Sequence, residues 1–290
     1  MNSTKSLHQL LSEPGLIIAP GAYDALSAKL AAQAGAAAVY MTGFGLAGSH
    51  LGLPDIGLMS ASEMVDRVRA MSAATGVVPL IADGDNGHGG PLNAARLARA
   101  YEQAGAQCIQ IEDQVFPKRC GHMEGKEVVS MADAAQKIAA VADARTSKDF
   151  KIMARTDARA THDLDEALRR GEAFLKAGAD ILFIEAPRDM KELEKVCATF
   201  KGVPLLANMV EDGKTPILDA QVLEELGFKI AIYPVSALLA VTKRLQEVYA
   251  TLLRGEGLAA NEPRVTFQHY NELVGLPELL ASAAKIAGTE

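Results

Sequence analysis

Eight short apolar runs, each followed by a helical stretch, predict a (β/α)8 TIM barrel with an extra helical segment at the C-terminus. Two further observations support that fold class. The phrase Ala-Gly-Ala recurs directly before three of the runs, at 34–36, 104–106 and 177–179. Polar residues gather at the C-terminal ends of the runs, where a barrel keeps its site, while the opposite ends carry Gly, Ala, Val and Pro. The length of 290 residues suits a barrel of about 250 residues plus extensions. An open, doubly wound sheet is the alternative that the same alternation permits.

Residues 7–11 have the spacing of a short amphipathic helix, stopped by Pro14 and Gly15. The apolar runs follow at 16–20, 37–42, 78–83, 106–112, 150–155, 179–185, 203–208 and 229–234. Most are unbroken, as parallel strands buried on both faces should be. Helical patterns fill 22–34, 60–75, 92–104, 131–145, 164–177, 190–200, 219–226 and 236–253. In each Ala-Gly-Ala the glycine is expected to end a helix in a left-handed cap, with alanine turning the chain into the next strand. The segment after the second run, with Pro54, Asp55 and several glycines, reads as an unusually long loop. Past 253 a glycine-broken linker leads to a further helical segment over 266–287, of the kind that packs on a partner subunit. Residues 1–290 are therefore expected to form a single barrel domain with a short N-terminal helix and a helical tail from about 255 to 290.

A hydrophobic content of 49% with 22% charged residues is ample for a large core. The net charge of −7 argues against nucleic acid as the main partner, so an anionic substrate must be held by local cations. The first fifteen residues lack the apolar core of a signal peptide, and no window reads as a membrane span. The three cysteines, Cys108, Cys120 and Cys197, are far apart and odd in number. They suit a reducing, cytoplasmic setting better than a disulfide framework.

The candidate site is drawn from the strand ends. Asp83 and Asp85 alternate along an extended segment and, with Glu112, make an oxygen-rich cluster suited to Mg²⁺ or Mn²⁺. The other reading makes the two aspartates loop caps ahead of the glycines at 87–90, and His88 a pocket-wall residue. Lys118, Arg119, Cys120, Gly121 and His122 stand in consecutive positions beside the pair Glu112 and Asp113, equipment for an anionic substrate. Read more plainly, the run is a solvated basic turn with an incidental cysteine. Neighbouring cations favour a reactive Cys120 thiol, as nucleophile or as proton donor, with proton transfer to a carbanion the better match to a metal. Pro117, Gly121 and Gly125 give the stretch 114–126 the makings of a closing loop.

These residues resemble the isocitrate lyase / phosphoenolpyruvate mutase superfamily, in its lyase branch. The marks are KRCGH at 118–122, DGD at 83–85, IED at 111–113, ARTDA at 154–158 and LPD at 53–55. Residues 208–216 and the tail are similar to the 2,3-dimethylmalate lyases and petal-death-type lyases. Residues 51–55 and 233–237 are closer to the 2-methylisocitrate lyases. Phe44, Asn86 and His88 depart from the usual pattern beside the substrate.

The resemblance implies a metal set of Asp83, Asp85, Glu112 and Asp55, some acting through water. It implies a substrate-binding set of Thr42, Gly43, Phe44, Lys118, Arg119, Gly121, Asn208, Pro234 and Ser236. The catalytic set it suggests is Tyr40 as base, Arg155 and Glu185 for positioning, and Cys120 with His122 on the loop. The reaction implied is retro-aldol cleavage of a 2-hydroxy di- or tricarboxylate, with Cys120 protonating the departing carbon. It also implies exchange of the last helix between partners, in a homotetramer built as a dimer of dimers. An oxaloacetate hydrolase, a phosphonate-forming mutase (disfavoured by KRCGH) and a non-catalytic binding barrel are the rival readings.

Overall fold

The computed structural model describes residues 5–121, 125–259 and 261–288. The apolar runs become strands β1 (Ile17–Ala22), β2 (Val39–Met41), β3 (Leu80–Asp83), β4 (Cys108–Glu112), β5 (Lys151–Thr156), β6 (Ile181–Ile184), β7 (Leu206–Asn208) and β8 (Ile230–Tyr233). Neighbours pair in parallel in the order β6-β5-β4-β3-β2-β1-β8-β7. A parallel bridge between Leu182 and Leu205, with the Leu182 amide donating to the Pro204 carbonyl at 3.0 Å, brings β6 to β7 and completes the ring. This is a (β/α)8 barrel, not an open sheet.

Helices α1 (Leu7–Ser12), α2 (Ala25–Gln33), α3 (Gly43–Leu46), α4 (Ala61–Thr75), α5 (Pro91–Gln103), α6 (Met131–Ala144), α7 (Ala158–Thr161), α8 (Leu164–Lys176), α9 (Met190–Thr199), α10 (Ala220–Leu226) and α11 (Ser236–Leu253) alternate with the strands. Their starts are set by short polar side chains. Ser60 and Glu63 form a reciprocal capping box at α4, and Asp163 and Asp189 accept from the backbone at α8 and α9. The three Ala-Gly-Ala phrases behave as expected, with Gly35, Gly105 and Gly178 at φ of +96°, +99° and +104°. The alanine after each glycine donates back into the helix, Ala36 to Ala31, Ala106 to Tyr101 and Ala179 to Phe174, at 3.0–3.2 Å. Those amides are used by the cap. The strands accordingly begin two residues later than the apolar runs, at Val39, Cys108 and Ile181.

Two apolar layers result. Leu7, Ile17, Ala38, Ile81, Cys108, Met153, Phe183 and Ile230 fill the barrel interior, with Leu7 of α1 among them. The Leu7 amide donates to Gln107 Oε1 at 2.7 Å, which ties α1 to the barrel. The larger layer lies between strands and helices and includes Met64, Val68, Leu97, Ile138, Phe174 and Val196.

Two places differ from the sequence reading. The expected loop after β2 opens with α3 and a π-helical turn, Ala47–Leu51. Gly43, Gly45 and Gly48 hid it, because glycine is a poor helix former. The expected helix over 266–287 is two, α12 (Phe267–Leu273) and α13 (Leu276–Ala287), parted by Gly275 at φ +90°. The chain divides into two compact units, Met1–Leu239 and Ala240–Glu290, the second starting inside α11. No helix among the described residues is long and apolar enough to cross a membrane.

Candidate active site

The C-terminal ends of the strands surround a cavity of about 240 Å³. Its polar side is formed by Tyr40, Thr42, Asp55, Asp83, Glu112, Lys118, Arg119, Cys120, Gly121, Arg155, Glu185, Asn208 and Glu211. Its apolar side is Phe44, Val210, Ile232, Pro234, Val235 and Leu239. Strand geometry explains much of the polar set: alternate residues of a β-strand turn inward, and Tyr40, Asp83, Glu112, Arg155 and Asn208 do so in the last two positions of their strands, where the βα loops open.

Four carboxylates and one lysine make the floor. Lys118 Nζ lies 2.5 Å from Asp55 Oδ1 and 2.7 Å from Asp85 Oδ1, the second an ion pair without hydrogen-bond alignment. Burial alone would lower the Lys118 pKa, but Asp85, Asp55, Glu112 and Asp83 hold the ammonium well above its ordinary range. Asp83 Oδ1 accepts from the Asp85 amide at 3.0 Å and from Gln110 Nε2 at 3.1 Å, and its Oδ2 accepts from the Gly43 amide at 3.2 Å. Burial and the neighbouring Asp85 push the Asp83 carboxyl up to about 6. Asp85 has a left-handed backbone, φ +49°, a conformation aspartate tolerates. It does not line the cavity and turns instead toward Lys118. His88, also left-handed, places Nε2 3.8 Å from Asp85 Oδ2 behind the site.

Among the described residues no three His, Cys, Asp or Glu side chains form a ready metal cage. Lys118 stands among Asp83, Asp85, Glu112 and Asp55, the carboxylates expected to hold a metal. The donor chemistry still fits a hard divalent cation. Glu112 Oε1 is buried with no hydrogen-bond partner, and burial raises the Glu112 pKa well above normal. Such a cation would draw its remaining ligands from water and substrate oxygens.

Across the cavity, Arg155 donates to Asp157 through Nε at 3.0 Å and Nη2 at 3.2 Å. It lies 3.5 Å from both Glu112 and Glu185, and its guanidinium carbon stands 5.0 Å over the Phe183 ring. Burial opposes the charge, yet Asp157, Glu185 and Glu112 hold Arg155 protonated. Asn208 Nδ2 donates to Glu185 Oε2 at 3.2 Å. Cys120 is half-buried on the cavity wall, and its amide donates to the Asp55 carbonyl at 3.2 Å. A Cβ on Gly121 would overlap Arg155 Nη2 and lie 2.9 Å from Glu185 Cδ, so the chain passes there only as glycine. Cys108 and Cys197 are buried packing residues with raised pKa, Cys197 at about 11, from burial.

The structure thus brings most of the expected residues to one cavity. Gly43 and Ser236 are set differently. The Gly43 amide is taken by Asp83, and the Ser236 hydroxyl donates to Glu211 Oε1 without lining the cavity. His122 lies outside the described residues. Four neighbours entered none of the expected residue sets, Gln110, Lys126, Asp157 and Glu211, although Asp157 and Glu211 stand within the family motifs and Lys126 ends the expected closing loop. Gln110 joins two expected residues, accepting from the Tyr40 hydroxyl at 2.9 Å and donating to Asp83. An amide flanked by isoleucines, two positions before Glu112 and so on the same strand face, was the available signal.

A family model described as phosphoenolpyruvate phosphomutase matches residues 7–253. The chain belongs to the phosphoenolpyruvate mutase / isocitrate lyase superfamily. It is 47% identical to the 2,3-dimethylmalate lyase of Eubacterium barkeri, over 96% of this chain and 96% of that protein. It is 42% identical to a 2-methylisocitrate lyase of Bacillus subtilis strain 168, over 84% of this chain and 79% of that protein. A crystal structure of 2,3-dimethylmalate lyase superposes with a TM-score of 0.93 at 37% identity, covering 99% of this chain and 96% of that one. A structure of oxaloacetate acetylhydrolase with 3,3-difluorooxalacetate gives a TM-score of 0.93 at 33% identity, covering 99% and 97%.

Proposed function

We propose that this superfamily member is a Mg²⁺-dependent carbon–carbon lyase acting on 2,3-dimethylmalate or a similar 2-alkylmalate. The products are a 2-oxo acid such as pyruvate and a carboxylic acid. One observation carries the reading: Cys120 and the Arg155–Glu185–Asn208 group face the Asp83–Glu112–Lys118 floor across a single cavity. The apolar wall of Val210, Ile232, Val235 and Leu239 suits alkyl substituents at C2 or C3.

Asp83, Asp85, Glu112 and Asp55, directly or through water, would hold Mg²⁺ (or Mn²⁺), which supplies positive charge beside the C2 oxygen of the substrate. Lys118, Arg119 and the Thr42–Phe44 backbone then meet the substrate carboxylate, with Pro234 at the wall. The C2 hydroxyl gives up its proton, the C2–C3 bond breaks, and C2 becomes the carbonyl of the oxo acid. The bonding pair passes into C3 and its carboxylate, which Arg155, Glu185 and Asn208 position. The Cys120 thiol donates its proton to C3, with His122 as a helper on the same loop. Tyr40 is our candidate for the base at C2. At rest it is protonated: burial first, then Asp83, raise its pKa well above normal, and its hydroxyl donates to Gln110. Its action as base therefore requires that it first give up the phenolic proton it now shares with Gln110, so that the phenolate takes the C2 hydroxyl proton.

We further assign the assembly as a homotetramer, a dimer of dimers with the tail helices exchanged, and the compartment as the cytoplasm, where Cys108, Cys120 and Cys197 stay thiols. The partner is a small carboxylate; a nucleic acid or a membrane is not.

The deciding assay offers 2,3-dimethylmalate, 2-methylisocitrate and oxaloacetate in parallel with Mg²⁺, with Cys120→Ser as control. Pyruvate from dimethylmalate is expected, with turnover in the serine variant lower by ~10²–10⁴-fold. Pyruvate and succinate from methylisocitrate alone would move the substrate to that acid. Acetate and oxalate from oxaloacetate alone would make the protein a hydrolase. Near wild-type turnover in the serine variant would remove Cys120 from the acid role.

A further inference from the structure

Lys126 has no task in the chemistry above, yet its ammonium is only 2% exposed. It donates to the Gly121 carbonyl and, at 2.9 Å, to Asp157 Oδ1. Asp157 is the same carboxylate that receives Nε and Nη2 of Arg155. Behind it, the Asp157 amide donates to Asp113 Oδ1 at 2.9 Å, and Arg170 of α8 donates to Asp113 Oδ2 at 3.0 Å. A line of buried charges therefore runs from α8, through the ends of β4 and β5, to the carbonyl of Gly121, the residue after Cys120.

The segment before Cys120 is held separately. Gln114 Nε2 donates to the Arg119 carbonyl, and the Arg119 amide donates to Gln114 Oε1, both at 2.9 Å. The Cys120 amide donates to Asp55. Downstream, the Gly121 carbonyl is held by Lys126. A buried lysine is costly unless its charge is matched, so two polar partners at this position carry weight.

We propose that Lys126 is a positioning residue that fixes the Cys120–Gly121 backbone against Arg155 through their shared carboxylate, Asp157. The thiol and the guanidinium then keep one separation, which a proton transfer to carbon needs. The identity of Cys120 as the acid rests on the lyase reading; the clamp itself does not.

The test uses the full chain as Lys126→Met and Lys126→Arg, with hydrogen–deuterium exchange over 115–127 and steady-state kinetics on 2,3-dimethylmalate. In Lys126→Met, kcat should fall by ~10²-fold with KM little changed. The peptide holding Cys120 should exchange faster, while the rest of the barrel stays as in wild type. Lys126→Arg keeps the charge for Asp157, but its bulkier, planar guanidinium does not reproduce the compact ammonium shared with the Gly121 carbonyl, and it should fall between the two. Should the methionine variant fail to fold, the arginine variant decides alone, by slower turnover together with faster exchange of that peptide. Wild-type kcat in either folded variant would overturn the proposal, as would a lost kcat with unchanged exchange around Cys120. If wild type turns over none of the acids, the lyase reading fails and the exchange result still decides the clamp.

Discussion

Gln110 lies in the barrel with no exposure and bonds two buried residues at once. Its Oε1 accepts from the Tyr40 hydroxyl at 2.9 Å, and its Nε2 donates to Asp83 Oδ1 at 3.1 Å. A Gln110→Leu substitution keeps the volume roughly constant and removes both partners. Leaving buried groups unpaired costs about 1–3 kcal/mol. Chemical denaturation of that variant should show a loss of this size, and equal stability would mean the two bonds contribute nothing. Single residues of this kind were the hardest to read from sequence. Cys120, Arg155 and Asp83 announce themselves by chemistry at strand ends, whereas Gln110, Asp157 and Lys126 matter through partners distant in the chain. Lys126 reaches a carboxylate thirty-one positions away, a pairing that no local pattern specifies.

At the scale of elements, the repeated strand–helix grammar was legible because both periodicities are local, and the Ala-Gly-Ala caps fixed where helices stop. What stayed hidden were α3 and the π turn, where glycines mask helix, and the closure of β6 on β7, which is a long-range event. The end of β5 shows how elements are fastened together. Asp157 is fully buried between Arg155 and Lys126, and Asp113, just past β4, is bonded to Thr156, to the Asp157 amide and to Arg170 of α8. Burial would raise the Asp157 pKa, but Arg155 and Lys126 prevail and hold it down to about 2. A carboxyl depressed in the folded state stabilises above its unfolded pKa, and that contribution is lost as pH falls through the folded value. Wild type should therefore lose stability between about pH 4 and pH 2 by an amount on the order of 2 kcal/mol from this group. In Asp157→Asn the same denaturation series should start from a less stable protein at neutral pH and fall less steeply over that window. Parallel curves for the two proteins would show that Asp157 does not titrate with folding.

The whole molecule carries an apolar surface that the second unit does not bury within itself. On α12 and α13, Phe267 and Ile286 are each 85% exposed, Leu279 68% and Leu280 60%, and neither helix has a buried residue. Two helices of twelve residues or fewer cannot hide such faces in each other, and contiguous exposed apolar surface marks an interaction site. A symmetric oligomer is the economical cover, since one patch can then serve every copy. The proposed exchange of tail helices makes a definite claim for solution behaviour. Wild type should sediment as a tetramer. The double variant Leu279→Glu, Leu280→Glu carries two charges on the α13 face, which a dry interface excludes. It should sediment as a smaller species with the barrel still folded by circular dichroism. A tetramer that survived this change would mean that the assembly is built on another surface, and a wild type that sediments as a monomer would remove the exchange altogether.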